Sequence, residues 1–210
     1  MVEQSSRIRV LVVDDHPLMR EGIASVVNRE ADMVTVGEAA NGTEGLEQFL
    51  KLRPDVTLMD LQMPGVSGLE TIAQIKANVP DAAILVLTTY KGDVQAMRAI
   101  QAGATGYLLK SALRKELVDT IRSVHGGRGY IYPEVVIDMT SHLIDESLTE
   151  RETAVLACVA CGNSNKLVAS QLNISEETVK VHMRSILGKL KARDRTHAVA
   201  IALRRGIISI

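Results

Sequence analysis

Several apolar stretches of this chain end on a residue able to handle phosphate. Residues 7–13 run into Asp14-Asp15, Val56–Met59 into Asp60, Ala83–Leu87 into Thr88-Thr89, and Thr105–Leu109 into Lys110. Pro64-Gly65 follows Asp60 closely and punctuates the chain, so Asp60 falls where a strand gives way to a loop. Singly, each residue has an ordinary reading: solvated turn aspartates, a Thr88 helix cap, a surface Lys110. Jointly they point to one chemistry. Three carboxylates in one small pocket repel each other unless a cation neutralises them. One or two carboxylates plus waters are what Mg²⁺ takes, leaving room for a phosphate oxygen. A carboxylate can act as nucleophile and hold an aspartyl phosphate. Phosphoryl transfer loads charge onto the equatorial oxygens, so its catalysis is mainly positioning and electrostatics. Mg²⁺, the Lys110 ammonium and the Thr88 hydroxyl supply both.

The elements that must position these groups follow from the apolar period. Pro17 opens a helix carrying Leu18, Ile23, Val26 and Val27. Met33–Glu38 alternates like a strand, and Asn41-Gly42-Thr43-Glu44 reads as a capping box before Leu46, Phe49 and Leu50. Leu69, Ile72 and Ile75 mark a third helix; Val94, Met97 and Ile100 a fourth, stopped by Gly103; Leu113–Val124 a fifth. Strand alternating with helix predicts a parallel sheet covered on both faces. In such open sheets ligands bind outside the carboxyl ends of the strands. All the strand-end residues above then share one edge.

Gly126-Gly127-Arg128-Gly129 breaks the rhythm, and Tyr130–Ser147 reads as a linker with one short helix. The expected boundaries are a first domain over 1–127, a linker over 128–147 and an all-helical domain over 148–210. Charge divides the same way. Residues 147–210 hold 10 Lys+Arg against 5 Asp+Glu, a net of +5, so the total of −1 leaves −6 for residues 1–146. An acidic front and a basic back suggest two modules with different partners, the basic one facing a polyanion. The polar Met1–Ser6 start and the lack of long apolar runs predict a cytoplasmic protein without membrane contact.

In the basic part, Thr149-Glu150-Arg151-Glu152 reads as a capping box before Val155, Leu156 and Val159. Ser164 can cap Asn165–Leu172, and Ser175 a longer helix over Glu176–Leu190. Two helices joined by a tight turn, the second one basic, form a helix-turn-helix pattern. Val179, Met183, Ile186, Leu187 and Leu190 share a core stripe, while Lys180, Val181, Arg184 and Lys191 lie off it. Lys and Arg suit phosphates and guanine edges, and a small apolar side chain can touch a thymine methyl. Glu176 and Glu177 fit the helix dipole but repel phosphates, so base contacts start at Lys180. With no aromatic residue for stacking, this half is not fitted to single strands or RNA. Cys158 and Cys161 have no second ligand pair for zinc and read as buried thiols. Asn41-Gly42-Thr43 and Asn173-Ile174-Ser175 match glycosylation sequons but read as caps and turns. His16 follows the acidic pair and could approach the pocket.

Residues 8–125 resemble a bacterial response-regulator receiver domain in the motifs LVVDD, LMDLQMPG, VLTTY and GYLLK. Residues 148–210 resemble the LuxR-type helix-turn-helix of the NarL/FixJ regulators, in LTERE, SNKLVA, ISEETVKVH and RTHAV. The resemblance implies a flavodoxin-like, doubly wound parallel sheet of order 2-1-3-4-5 followed by a small all-α domain. It implies that Asp60 takes a phosphoryl group from a sensor histidine kinase. Asp15 would bind Mg²⁺ directly, Asp14 through water and Gln62 through its backbone carbonyl, with Asp60 also in the metal site. Thr88 and Tyr107 would form the switch, while Gln62 and Tyr90 tune phosphate lifetime. Lys180, Val181 and Arg184 would enter the major groove; Asn165, Lys166, Thr178 and Lys189 would hold the backbone. The last helix, Thr196–Arg205, would offer its Ala-rich face to a second copy. The implied partners are double-stranded DNA with inverted or direct half-sites, a second copy once phosphorylated, and RNA polymerase. Two departures stand out. Ser111 follows Lys110 where many receivers have proline, and Leu167 stands where the second family often has Glu.

Two rival readings compete with a regulator. An aspartyl-phosphate phosphatase also uses strand-end carboxylates and Mg²⁺, but it wants a second Asp two residues after the nucleophile, where Gln62 stands. A binding platform whose Asp60 is never phosphorylated is the other.

Overall fold

Val10, Leu11 and Val12 are sealed from solvent, and so are Val56, Leu58 and Met59, so both strands are covered on both faces. Each such side chain contributes roughly 1.5–3 kcal/mol relative to an exposed one. The protein is described here from a computed structural model, over residues 7–89, 92–141 and 146–208. The strands are β1 Ile8–Val13, β2 Met33–Ala39, β3 Val56–Asp60, β4 Ala83–Thr88, β5 Gly106–Leu109 and β6 Tyr130–Ile131. They alternate with helices α1 Pro17–Arg29, α2 Gly42–Leu52, α3 Gly68–Asn78, α4 Asp93–Gln101 and α5 Leu113–His125.

The sheet has the order β2-β1-β3-β4-β5-β6, with every pairing parallel. The expected doubly wound order is present, and one strand is added to it. β6 lies within residues read as linker, pairing Gly106 with Tyr130 and Tyr107 with Ile131. The Tyr130 hydroxyl donates to Glu116 of α5, which fastens β6 to the domain. Residues Ala96–Pro133, β6 included, fall in the first compact unit, and those from Glu134 onward in the second. The short helix expected in the linker is α6, Pro133–Ser141.

Register explains the convergence. Val13 pairs with Met59, so Asp14 and Asp60 each lie one residue past paired neighbours. Asp60 pairs with Leu87 and Thr88 with Leu109, which brings Thr88 and Lys110 to the same edge. The Lys110 side of that edge continues into a 3₁₀ turn, Lys110–Ala112, before α5. On α2, Asn41 accepts from the Glu44 amide, but the Glu44 carboxylate accepts from Ala40 rather than from Asn41. The cap is real; the reciprocal box is not.

In the second unit the helices are α7 Glu150–Ala160, α8 Asn165–Leu172, α9 Glu176–Lys189 and α10 Arg195–Arg205. The Thr149/Glu152 capping box and the Ser164 and Ser175 caps are present as read. Val155, Leu156, Val168, Val179, Met183 and Ile186 make the core. Three expectations change here. Helix α9 ends at Lys189, and Lys191 turns left-handed at φ +52°, so it leaves the basic helix face. Cys161 is exposed and Cys158 half-buried: α7 stops at Ala160, so Cys161 falls past the helix, and Val159 takes the buried position of the last turn. Ala198 and Ala202 are buried in the domain's own core, leaving Thr196, Ala200 and Arg204 as the open strip of α10.

Gly68, the first residue of α3, is pressed against the backbone that carries the pocket. A β-carbon there would collide with the Asp60 carbonyl and come within 2.7 Å of the Leu61 Cα. Backbone cannot yield as a side-chain tip does. Gly68→Ala is expected to lower the unfolding free energy by about 1–3 kcal/mol in a urea titration and to displace the loop after Asp60.

Candidate phosphoacceptor pocket and nucleic-acid interface

Lys110 bridges two carboxylates across the strand ends. Its Nζ donates to Asp60 Oδ2 at 2.6 Å and stands 2.7 Å from Asp14 Oδ2. All three side chains are nearly sealed, at 8%, 5% and 1% relative exposure. Asp60 Oδ1 also accepts from the Gln62 amide at 3.2 Å. Arg20 of α1 donates to the Asp14 carbonyl and so holds the turn that presents the acidic pair.

Burial pushes the Asp60 carboxyl up, and Asp14 adds to that; Lys110 and the Gln62 amide pull back without cancelling it. A folded-state pKa above the unfolded one means that ionised Asp60 costs stability. Its favourable contribution is full below the ordinary carboxylate range and fades as pH rises through the raised value. Burial alone would lower Lys110, but the two carboxylates outweigh it and raise the ammonium above its usual range. The Lys110 contribution is thus present below the ordinary lysine range and lost above its raised pKa.

Asp14, Asp15, His16 and Asp60 bring one ligand atom each within 4.8 Å of one another. Asp14 Oδ2 and Asp15 Oδ1 are buried oxygens, faced by the Lys110 ammonium and the His16 ring nitrogen respectively. Three carboxylates against one ammonium leave two negative charges, which one divalent cation balances. Oxygen donors around uncompensated charge fit a hard cation. His16 does approach the pocket: its Nδ1 is 2.7 Å from Asp15 Oδ1, with the ring largely exposed. Thr88 and Tyr107 are both buried and share a side-chain hydrogen bond; burial pushes the Tyr107 phenol up, and that bond offsets it in part. Tyr90, expected beside the pocket, lies outside the described residues.

On the second unit, Lys180, Val181 and Arg184 are exposed on α9, and Val181 leaves 53% of an apolar side chain in solvent. Lys180 is 3.0 Å from Glu177, a surface pair worth at most about 1 kcal/mol and easily exchanged. Lys166 is exposed, with Asn165 and Thr178 half-buried beside it. Lys189 is placed differently from its expected role. Its Nζ donates to Glu152 Oε2 at 2.9 Å and to the Ser147 carbonyl, so its charge is spent within the domain. Glu152 also accepts from Ser185, at 2.7 Å. The sequence marked Glu152 only as a capping residue; its role as the partner of Lys189 depends on a long-range contact.

Such a pair of modules, a carboxylate-and-lysine pocket on a parallel sheet and a helix-turn-helix with a basic outer face, defines a class of regulators. The chain belongs to the response regulators. Residues 10–122 match the response regulator receiver domain and residues 146–202 the luxR family of bacterial regulatory proteins. It is 39% identical over 206 residues to the response regulator protein VraR of Staphylococcus aureus, covering 96% of this chain and 99% of that one. Among solved structures it is similar to the response regulator ChrA of a heme-sensing two-component system, at 35% identity and TM-score 0.58, covering 97% and 100% of the two chains. It is also similar to the response regulator RcsB in an RcsB–DNA complex, at 25% identity and TM-score 0.70, covering 95% and 99%. No helix among the described residues is long and apolar enough to cross a membrane.

Glu152 generates a pH prediction. Burial alone would raise it, but Lys189, Ser185 and Thr149 together hold its carboxyl down at about 2. A depressed pKa contributes stability above the unfolded value and loses it as pH falls through the folded one. The second domain is expected to weaken between about pH 4.5 and about pH 2. Glu152→Gln, which strands Lys189, is expected to cost about 3 kcal/mol at pH 7 and to flatten that dependence, read by urea unfolding at stepped pH.

Proposed function

We infer that this protein is a transcription regulator switched by phosphorylation of Asp60. The observation that carries the reading is the Lys110 bridge to Asp14 and Asp60 at the strand ends, on a chain that also presents a basic helix-turn-helix. A sensor histidine kinase is the proposed donor. An Asp60 carboxylate oxygen attacks the phosphorus of its phosphohistidine as the P–N bond breaks. Lys110, already 2.6 Å from Oδ2, pairs with a phosphoryl oxygen, and the Thr88 hydroxyl meets another. Asp15 and Asp60 directly, Asp14 through water and Gln62 through its carbonyl would hold Mg²⁺. When bound, that ion supplies the neutralising charge the pocket lacks. The chain assists its own phosphorylation and dephosphorylation but is not a turnover enzyme, since Gln62 stands where a phosphatase would carry its acid.

The Thr88–Tyr107 hydrogen bond supports the switch reading: a threonine drawn toward the phosphoryl group takes its tyrosine partner with it. The first domain, to Pro133, is then the receiver, and the last helices are the output. RcsB, solved with DNA, supports duplex binding by this chain too. Lys180, Val181 and Arg184 enter the major groove, and Asn165, Lys166 and Thr178 hold phosphates. Phosphorylation favours a homodimer, and two linked half-site contacts bind far more tightly than one. The site of action is the cytoplasm, with RNA polymerase as the further partner of an activator.

The test is selection of bound duplexes from a random pool, with and without acetyl phosphate and Mg²⁺. The expected result is a repeated half-site enriched by phosphorylation, bound at least tenfold more tightly than by Asp60→Asn treated alike. Equal affinity of Asp60→Asn and phosphorylated protein for the selected duplex would remove the coupling.

A further inference from the structure

A concavity of about 300 Å³ opens between the first turn of α8, helix α9 and the start of α10. Met183 and Leu187 line it with apolar surface, while Asn165, Lys180, Arg184 and Arg195 supply the polar and cationic lining. Among the described residues no carboxylate lines it. Arg195 comes from outside the helix-turn-helix proper, as the first residue of α10. Its Nη2 donates to the Asn163 carbonyl at 2.9 Å, in the turn whose Ser164 caps α8. The guanidinium is thereby held against the opening of the helix that leads into the recognition turn.

Arg195 is poorly placed for its own helix. The positive end of a helix dipole disfavours a cation, and acidic residues are the usual occupants of a first turn. Helices α7 and α9 follow that pattern, with Glu150 and Glu152 and with Glu176 and Glu177. The first turns of α8 and α10 hold no acid, and Lys166 and Arg195 sit there instead. The Asp194 carboxylate already caps α10 through the His197 amide, so an anion resting at this spot offsets the α8 end and the clustered cations. A guanidinium carries five donors in a planar fork, so one bond to Asn163 leaves capacity for a phosphate. The apolar surface of Met183 and Leu187 suits the sugar next to that phosphate.

We propose that this concavity is a phosphodiester subsite, in which Arg195, with Asn165, clamps one backbone phosphate of duplex DNA beside the groove read by Lys180, Val181 and Arg184. The subsite rests on the duplex-binding reading and adds to it a residue from α10. Its contact is independent of sequence, because it touches phosphate and sugar only. Through Asn163 it also sets the angle at which α8 meets the backbone.

The experiment uses the full chain as wild type, Arg195→Ala, Arg195→Gln and Arg195→Lys. The probes are the operator selected from the random pool and a random-sequence duplex of equal length, each titrated across a salt series. Arg195→Ala and Arg195→Gln are expected to weaken both duplexes by the same factor, roughly 3- to 30-fold, and to reduce the log–log salt slope by about 1. Arg195→Lys is expected to keep the slope. The glutamine variant retains a donor for the Asn163 carbonyl, so it reports charge loss even if the alanine variant folds poorly. Unchanged slope in both neutral variants would overturn the subsite and leave Arg195 as a brace for the turn. A loss confined to the operator would overturn it in favour of base reading. Wild type that binds neither duplex would overturn the duplex-binding reading itself, and the subsite with it.

Discussion

The ammonium of Lys110, wedged between Asp14 and Asp60, is the contact on which the first domain turns. Without it three carboxylates would share a nearly dry pocket with no cation among them. With it the cluster is tolerated but still short of positive charge. The raised pKa of Asp60 expresses that shortage: burial wins over the lysine, so the ionised acid is held at a cost. A pocket in that condition favours whatever neutralises it. A divalent cation among Asp14, Asp15 and Asp60 would do so, and esterifying Asp60 would redistribute charge onto oxygens that Lys110 can reach. The same arithmetic makes the site responsive to phosphate and makes its occupancy matter to the fold around it.

The pocket was legible because each member ends an apolar strand, and a parallel sheet puts all such ends on one edge. Alternating periodicity revealed five strands and five helices. It could not reveal β6, since two residues after a glycine cluster carry no period, and their place depends on the open side of β5. The helix caps at Thr149, Ser164 and Ser175 were legible for the opposite reason, being short-range events.

Long-range pairing marks where sequence reading stopped in the second domain. Lys189 has the spacing of a surface cation, but Glu152 lies 37 residues earlier and claims it. Cys161 seemed to belong to a buried helical pair, until the helix ended one residue before it. Ala198 and Ala202 of α10 complete the domain's own core, while Ala200 stays on its open strip. Arg195 belongs to the RTHAV stretch of the helix-turn-helix resemblance, but its relation to Asn163 and Arg184 exists only once α10 packs on α7 and α9. For Lys189 and Arg195 a partner distant in sequence decided a role that the residue type alone left open.

Two chemistries of opposite sign thus occupy one chain: an anionic pocket whose residues fit a cation, and a cationic surface suited to a phosphate polymer. The most direct test of the pocket is to locate the covalent bond. The full chain is incubated with acetyl phosphate with and without Mg²⁺, trapped by borohydride reduction, and digested for peptide mass mapping. The account expects the reduced residue at Asp60 alone, only when Mg²⁺ is present, and absent from Lys110→Ala. Modification at Asp14 or Asp15, or labelling of Asp60 that ignores both Mg²⁺ and Lys110, would contradict it.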